Sequence, residues 1–401
     1  DILDAPVPRS ARVSPDGALV AYTVRQGTYG ADSSESWIEI RSLPGGDLVR
    51  KLRGGENKSR LNWAPNGRRL SYVSSRSDDN TNSLWIQNFD SGEVMPVLER
   101  IQDFGGYAWS PTGKAMAYWT TKKQEKDKSG IKHILSLQDR QPGDRDLSHL
   151  WLVNLEDGLR RRLTAGEGST TFHAFSPDGG AVLFARYFEE LTRPSFAREE
   201  LWEIDLATHE SRKLREFSWM SSASYSPDGS RLLLTGGPSL FGEVGRNVPE
   251  GVIPNEYDGQ LYIWDPTGEE PSSVQAVARE FDPAIKSAYW HPGDGNIYIR
   301  AEDGEFEKLY RYDTEAGTFS SINLPFEVVS EVAYARNEPV AAAIGSSMWS
   351  PPVVAAVDLA RSVAMTIHEP ATDWFEPVRR GDSEDFSFTA ASGRAIAGRV
   401  Y

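Results

Sequence analysis

The stretch Ser176-Pro177-Asp178-Gly179 decides the fold of this 401-residue chain, because variants of it recur along the sequence. Proline presets φ at the first corner of a tight turn, aspartate or asparagine tolerates the second corner, and glycine accepts the positive φ that follows. Successive prolines are separated by 50, 46, 66, 50 and 65 residues. A unit of about 45 to 50 residues is therefore repeated, with additional loop in two copies. The other copies are Ser14-Pro15-Asp16-Gly17, Ala64-Pro65-Asn66-Gly67, Ser110-Pro111-Thr112-Gly113, Ser226-Pro227-Asp228-Gly229 and the looser His291-Pro292-Gly293-Asp294-Gly295.

Short apolar or alternating runs flank each of these turns. One run precedes the turn and ends in an aromatic residue, as in Tyr107-Ala108-Trp109, and a second follows it, as in Met116-Ala117-Tyr118-Trp119. A third run comes later, as in His149-Leu150-Trp151-Leu152-Val153, and a polar fourth run closes the repeat, as in Arg161-Arg162-Leu163-Thr164. This pattern predicts four strands in each repeat, with the Pro-Gly turn as a hairpin corner. Four antiparallel strands in each repeat are typical of a propeller blade.

The six turns predict six blades, and the stretch 329–370 predicts a degenerate seventh. There Val332-Ala333-Tyr334 corresponds to the first strand, Pro339 to Ile344 to the second and Val353 to Leu359 to the third. No long apolar segment with a helical period lies between the strands, which argues against alternating α/β units. The sequence thus predicts an all-β, seven-bladed β-propeller of four-stranded antiparallel blades with WD40-like or TolB-like repeats.

Composition restricts the partners and the chemistry. The net charge of −15 argues against a surface for nucleic acid or for an anionic membrane. The absence of cysteine excludes disulfides, thiolate nucleophiles and soft metal sites, and the six histidines are scattered singly, so no metal and no cofactor is predicted. No apolar run reaches the length of about 18 residues that a membrane span needs. The compartment stays open, with a periplasmic or secreted location slightly favoured over the cytoplasm.

The residues of this chain show no catalytic nucleophile of their own. A strained nucleophile elbow requires Gly-x-Ser-x-Gly. The nearest stretches, Gly237-Pro238-Ser239-Leu240-Phe241 and Gly381-Asp382-Ser383-Glu384-Asp385, lack the second glycine. We therefore predict no catalytic residue within the chain.

The C-terminal residues carry a more specific resemblance. The chain ends with Phe386-Ser387-Phe388-Thr389, a turn at Ser392-Gly393, and Ile396-Ala397-Gly398-Arg399-Val400-Tyr401. This resembles the first strand pair of the α/β-hydrolase domain in the prolyl oligopeptidase (S9) family of serine peptidases, which reads as a Phe-Thr strand, a Ser/Asp-Gly turn and Ile-x-Gly-Trp-x-Tyr. Arg399 stands where the family has Trp. The resemblance covers the whole chain, as a leader (1–10), a propeller (11–372), and a linker with the start of the hydrolase domain (373–401).

The resemblance implies a function that this chain would share with a missing catalytic part. The parent enzyme, of dipeptidyl peptidase, acylaminoacyl peptidase or oligopeptidase type, would hydrolyse peptide bonds with a Ser-His-Asp triad located beyond Tyr401. The propeller would cap the active site, exclude folded proteins, admit short peptides and contribute to substrate binding. Its expected partners are a short peptide substrate and the C-terminal hydrolase domain. The chain alone is expected to be inactive.

Two loops supply candidate substrate-binding residues. Glu189 and Glu190, followed by Arg193, resemble the acidic pair with which dipeptidyl peptidases bind a free amino terminus, although that pair precedes a Ser-Pro-Asp-Gly corner and this one follows it. Two adjacent carboxylates would stabilise an ammonium ion, and the alternative is a solvated loop. The neighbouring pair Glu199-Glu200 is expected to lie on the surface. In the long loop of the fifth blade, the candidates for lining the substrate cavity are Phe241, Arg246 and Tyr257, with a merely packed loop as the alternative.

Two other functions remain open from the sequence. A TolB-like propeller with no catalytic partner would bind a protein or a peptide, and it shares the Ser-Pro-Asp-Gly corners. A propeller enzyme with its own active site would need converging acidic or metal-binding residues, and no such spacing is visible.

Overall fold

A computed structural model describes residues 4–28, 30, 33–54, 57–75, 80–123, 131, 134, 145–190, 192, 195–375, 379 and 381–400. Strands dominate these residues, and the helix they contain, α1 (Thr372–Phe375), is short. The prediction of an all-β fold is confirmed. The first strand begins at Val7, inside the segment 1–10 that the sequence assigned to a leader.

Five sheets contain four antiparallel strands each, and the strands of each sheet are consecutive in the chain. The first two sheets are formed by β1 (Val7–Val13), β2 (Leu19–Thr28), β3 (Ser33–Ser42), β4 (Leu48–Leu52), β5 (Asn57–Trp63), β6 (Arg69–Ser75), β7 (Thr81–Asn88) and β8 (Val94–Gln102). The next three are formed by β9 (Phe104–Trp109), β10 (Ala115–Lys122), β11 (Leu147–Asn154), β12 (Arg160–Arg162), β13 (Ser169–Phe175), β14 (Ala181–Glu189), β15 (Ala197–Asp205), β16 (Ser211–Phe217), β17 (Met220–Tyr225), β18 (Leu232–Gly236), β19 (Gln260–Trp264) and β20 (Val274–Ala276).

The following strands form one eight-stranded sheet that divides into two antiparallel units. A single parallel pair, Glu307 with Val328, joins the two units. A separate two-stranded hairpin, β29 (Glu384–Thr389) with β30 (Ala395–Val400), follows α1. The two units contain β21 (Ala284–Trp290), β22 (Ile297–Asp303), β23 (Phe306–Asp313) and β24 (Thr318–Ile322), and then β25 (Val328–Tyr334), β26 (Val340–Ser347), β27 (Ser350–Asp358) and β28 (Val363–His368).

The Pro-Gly corners have the geometry that the sequence predicts. In the fourth sheet, Gly179 has φ of 76° and its N–H donates to the carbonyl oxygen of Ser176 at 2.8 Å. Oγ of Ser176 donates to Oδ1 of Asp178 at 2.6 Å, so the turn is also held by its side chains. Corners of neighbouring sheets touch, since a Cβ at Gly67 would lie 3.5 Å from Cδ of Pro15. The repeated corner is therefore both a hairpin turn and a contact between sheets.

A hydrophobic cluster fills each junction between sheets that are neighbours in the chain. A further cluster joins the two ends of the array, because Val20 and Tyr22 of the first sheet pack with Ala342, Ile344 and Val354 of the last unit. The sheets thus form a closed ring. The first sheet has the order β1-β2-β3-β4 and takes no described strand from the C-terminal end, so side-chain packing closes the ring.

The antiparallel topology divides the connections between two faces of the ring. The Pro-Gly corners lie on one face, which we call the turn face, and the connections from the second to the third strand of each sheet lie on the other, which we call the loop face. The connections after Glu189 and after Gly236 are on the loop face. The last strand, β28, also ends there at His368, so the chain leaves the ring toward the hairpin β29–β30 from the loop face.

Candidate functional site

The predicted acidic pair lies at the loop face of the fourth sheet. Glu189 is the last residue of β14 and pairs with Ala197. The N–H of Glu190 donates to the carbonyl oxygen of Phe196 at 3.1 Å, and its Oε1 accepts hydrogen bonds from the backbone N–H and the hydroxyl of Thr192. Both glutamates are half-buried. The third predicted residue, Arg193, lies outside the described residues.

Phe241, predicted to line a cavity, lies in the core between the fourth and fifth sheets. Its side chain is 5% exposed. Its ring centroid is 5.3 Å from that of Phe217 in an edge-on arrangement and 5.3 Å from that of Tyr262. The guanidinium of Arg215 lies 4.9 Å from the centre of the same ring. Phe241 therefore anchors the long loop instead of presenting its ring to solvent.

Arg246 and Tyr257 lie in the same loop in different surroundings. Nη1 of Arg246 donates to Oε1 of Glu243 at 2.9 Å and Nη2 donates to the carbonyl oxygen of Val252 at 2.5 Å, so this side chain braces the loop. Tyr257 is 83% exposed, and its ring meets Trp219 edge-on at 6.0 Å between centroids. Of the three loop residues, Tyr257 is the one whose side chain is open to a ligand.

Glu199 and Glu200 were expected on the surface, and this prediction is wrong for Glu200. Glu200 is buried and accepts hydrogen bonds from Nη1 of Arg198 at 2.6 Å, Nε1 of Trp202 at 3.0 Å and Nζ of Lys213 at 3.0 Å. Although burial disfavours the charge, these donors lower the pKa of Glu200. Glu199 points to the other side of β15, and burial raises its pKa to about 7.

The first strands of the repeats share a bulge at the same position. In each of them one additional residue interrupts the pairing with the second strand. Such a β-bulge changes the direction of side chains and is frequent next to active sites. The first strands lie on the inner side of the ring, because β1 contacts both β5 and β25. The bulged residues or pairs are Ser10 with Ala11, Arg60 with Leu61, Gly105, His173, Ser221, Lys286 and Ser330.

Three of these bulges line one cavity of about 330 Å³ at the inner side of the first three sheets. We call it the channel cavity. Two of its bulged residues have positive φ, 58° at Ser10 and 52° at Arg60, which is costly for residues with a Cβ. The channel cavity is lined by Ser10, Arg12, Arg60, Leu61, Asn62, Gly105, Gly106, Tyr107 and Trp119.

Hydrogen bonds fix the walls of the channel cavity. Glu331 accepts from the N–H of Ser10 at 2.7 Å and from Nη1 of Arg12 at 2.9 Å, which joins the first sheet to the last unit. The hydroxyl of Tyr107 donates to the carbonyl oxygen of Arg60 at 2.7 Å and thereby supports the strained residue. The cavity is therefore formed by the first three sheets, and Glu331 of the last unit holds Ser10 and Arg12 in place.

Trp119 closes one wall because two glycines leave room for its ring. A Cβ at Gly105 would lie 2.2 Å from Cδ1 of Trp119, and a Cβ at Gly106 would lie 2.4 Å from its Cζ2. The far side of the indole stacks on Phe172, with ring centroids 5.6 Å apart and planes at 10°. Any larger residue in place of either glycine would displace the indole from the cavity.

Neither a metal cluster nor a spanning helix occurs in the part of the chain that the structure describes. There, no group of three His, Asp or Glu side chains is placed to hold a metal ion. In the same residues, no helix has the length and apolar character needed to cross a membrane.

Comparison with known proteins gives a curated protein that is similar in sequence and solved structures that are similar in fold. No family model matches this chain. The uncharacterized peptidase YuxL of Bacillus subtilis (strain 168) is 26% identical over 191 residues, which are 44% of this chain and 29% of that protein. The chain thus aligns with less than a third of its curated relative.

Solved structures match nearly the whole chain. The acylaminoacyl peptidase of Pyrococcus horikoshii superposes with a TM-score of 0.75 at 14% identity, over 99% of this chain and 57% of that one. The β-propeller domain of the Trilobed protease from Pyrococcus furiosus, described as having an open velcro topology, superposes with a TM-score of 0.68 at 13% identity, over 94% of this chain and 99% of that one. A prolyl endopeptidase gives 0.65 at 11% identity, over 98% of this chain and 54% of that one. The structural neighbours are therefore propeller domains of S9 peptidases, and this chain spans little more than half the length of the complete enzymes.

Proposed function

We propose that this chain is the seven-bladed propeller part of an S9-type serine peptidase that hydrolyses short peptides. The five four-stranded sheets and the two units of the eight-stranded sheet are the blades in this proposal. A Ser-His-Asp triad beyond Tyr401 supplies the chemistry: the serine attacks the scissile carbonyl, the histidine transfers the proton and the aspartate orients the histidine. The ring covers that site and admits only short peptides.

The C-terminal hairpin β29–β30 is the observation that carries this proposal. Phe386 and Phe388 lie on one side of it with Ile396 and Val400, and all four side chains are 43–57% exposed. A two-stranded sheet with an open apolar side is marginally stable by itself, whereas further strands or helices would cover it. This geometry supports the interpretation of residues 384–400 as the first hairpin of a larger sheet that begins at the loop face of the ring.

We further propose that the loop face contributes to substrate binding. Glu189 and Glu190 are half-buried carboxylates of adjacent residues, a pair suited to the ammonium group of a peptide amino terminus. The exposed ring of Tyr257 provides an apolar wall, while Phe241 and Arg246 hold its loop in place through the contacts described above. Arg193 is proposed as a further substrate contact on the strength of the sequence resemblance.

Labelling of the complete gene product tests the function. A fluorophosphonate probe is expected to modify one serine in a Gly-x-Ser-x-Gly sequence beyond Tyr401, within about 250 further residues by analogy with the α/β-hydrolase pattern. Residues 1–401 alone are expected to hydrolyse no peptide. A stop codon directly after Tyr401, with no hydrolase encoded beside it, would instead favour a non-catalytic TolB-like propeller that binds a protein or peptide. Turnover by the pure 401-residue chain would contradict the location of the chemistry.

A further inference from the structure

The channel cavity is lined by two arginines, Arg12 and Arg60. Arg12 is paired with Glu331, but Arg60 donates Nη1 to the carbonyl oxygen of Gly105 and otherwise lies 5.9 Å from the ring centre of Phe104. No ion pair links Arg60 to an acidic side chain among the residues that the structure describes. Arg60 is exposed at the channel wall, so its guanidinium is accessible to an anion from outside the chain.

Other groups lining the cavity are also hydrogen-bond donors. The side-chain amide of Asn62 and the indole N–H of Trp119 form no hydrogen bond with another side chain in the described ranges, and both residues line the cavity together with Arg60. An arginine fork and neutral N–H donors around one space match the acceptor oxygens of a carboxylate. A volume of about 330 Å³ is at the lower end of the range for small-ligand sites and is large enough for one amino-acid residue.

The backbone at Arg60 accounts for the position of its side chain at the channel cavity. Arg60 keeps a φ of 52° in a bulge, while the equivalent bulge of the third sheet has glycine at Gly105. A bulge of this kind re-aims the side chain of the extra residue. This conformation is maintained by the hydrogen bond that the Arg60 carbonyl oxygen accepts from Tyr107.

We propose that the channel cavity binds a carboxylate group of a peptide, with Arg60 as its charge partner and Asn62 and Trp119 as additional donors. The inference rests on the proposed function, because it takes the ligand to be a peptide that enters the ring. The carboxylate has two possible sources, the C terminus of the peptide or an Asp or Glu side chain. Both present the same two acceptor oxygens to the cavity.

Titration of the 401-residue protein with three peptides of the same length tests the proposal. One has a free C terminus and no acidic side chain, the second is its C-terminal amide, and the third is an amide with one internal Asp. Binding is followed by calorimetry and by the indole ¹H–¹⁵N resonance of Trp119, assigned with Trp119→Phe. We expect at least one of the two carboxylate peptides to bind at least about tenfold more tightly than the neutral amide and to shift the Trp119 resonance, and the tighter one identifies the source.

Two variants locate the charge partner. Arg60→Gln is expected to reduce the affinity for the carboxylate peptide by about tenfold or more and leave the amide unaffected, and Arg60→Lys to restore part of the affinity. Arg100→Gln is the matched control, because Arg100 is an exposed arginine of the outer strand β8 with nearly the same φ, 51°. The proposal would be overturned if the carboxylate peptides and the neutral amide bind equally, or if no peptide binds. It would also be overturned if Arg100→Gln loses as much affinity for the carboxylate peptide as Arg60→Gln does. Fluorophosphonate labelling of the complete gene product does not depend on these binding results. The carboxylate site and the proposed peptidase function can therefore fail separately.

Discussion

The phenolic oxygen of Tyr22, in the first sheet, lies 2.6 Å from Nδ1 of His368, the last residue of the last strand in the ring. The hydroxyl accepts a hydrogen bond from Nε of Arg41 at 2.7 Å and also lies 3.3 Å from Oε2 of Glu39. Nε2 of His368 faces Oε2 of Glu39 at 3.8 Å. Since no described strand passes between the first and last sheets, this polar contact complements the hydrophobic junction that closes the ring.

Closure of the ring is expected to weaken in acid. Burial, together with the positive charge of Arg41, lowers the pKa of His368 to about 4. The unfolded chain, with an ordinary histidine pKa near 6.5, therefore binds more protons than the folded chain between these values, and stability falls as the pH falls through this window. His368→Asn keeps a hydrogen-bonding group beside Tyr22 but cannot be protonated. We expect it to reduce the loss of unfolding free energy between pH 7 and pH 4.5 by about 1 to 3 kcal/mol in urea titrations.

The exposed His209 provides the control for this measurement. His209→Asn makes the same substitution at a site outside the contact between the first and last sheets, so comparison of the two variants isolates the contribution of that contact. His173, whose pKa burial also lowers to about 4, accounts for part of the acid sensitivity that remains in His368→Asn. If His368→Asn has the same pH dependence as the wild type, protonation of His368 does not open the ring.

Glu199 gives a prediction of the opposite sign. Burial raises its pKa to about 7, above the ordinary value of about 4.5, so the folded chain holds the proton more tightly and stability falls as the pH rises between these values. Glu199→Gln should stabilise the protein at pH 8 by about 1 to 3 kcal/mol and change little at pH 4. Glu200→Gln is the matched comparison, because it removes the charge that Arg198 and Lys213 contact and should destabilise the protein at pH 8. Thermal or urea unfolding of both variants at the two pH values distinguishes these effects.

The corners and strands could be predicted from sequence because their causes are local. Pro177 and Gly179 restrict φ within four residues, and the alternation around them reports burial on a sheet, so the turns and the strand order follow without knowledge of the neighbours. The position of Phe241 could not be predicted in this way. That position depends on the packing of its loop against Phe217 of the preceding sheet. The sequence around Phe241 contains no sign of this contact.

The candidate site was less accessible to sequence reasoning for the same reason. Glu199 and Glu200 are adjacent and chemically identical in the sequence. Because side chains alternate along a strand, they lie on opposite sides of β15, and the three hydrogen-bond donors described above reach Glu200 and not Glu199. In the sequence, Arg60 and Asn62 are polar residues before the corner Ala64-Pro65-Asn66-Gly67, and nothing there marks them as part of a site. The bulge that brings Arg60 beside Gly105 arises only when that strand pairs with its neighbour.

The acidic pair at the loop face is testable in the complete enzyme. If Glu189 and Glu190 bind the amino terminus of the substrate, Glu189→Ala and Glu190→Ala should raise KM for unblocked peptides by about tenfold or more, because each removes a charge-assisted contact. N-acetylated versions of the same peptides carry no ammonium group and should be hydrolysed as by the wild type. Glu250→Ala, at an exposed position of the loop after Gly236, is the control. Unchanged kcat and KM for unblocked peptides in both variants would contradict the role of the pair.

Arg399, the residue that departs from the S9 pattern, attaches the C-terminal hairpin to the ring. Its Nε donates to Oδ1 of Asp385 at 2.5 Å on the polar side of the hairpin, and its Nη1 lies 3.6 Å from Oε2 of Glu327. Its guanidinium also lies 5.1 Å from the ring centre of Phe306 at the loop face. The side chain is 14% exposed, so one residue connects the polar side of the hairpin to β23 and to Glu327, the residue before β25.

Removal of this side chain is expected to release the hairpin without unfolding the ring. Arg399→Ala loses the ion pair and the cation–π contact together, and both hold the hairpin against the loop face. Amide hydrogen exchange in residues 384–400 should become several-fold faster, while exchange in the buried strands β18 and β19 stays unchanged. Arg394→Ala, at the exposed turn of the same hairpin, removes an arginine without these contacts and should leave exchange unaltered. Glu327→Gln should reproduce part of the effect, because the guanidinium then loses one of its acidic partners. Equal exchange rates in Arg399→Ala and the wild type would show that the apolar side of the hairpin, and not Arg399, determines its position.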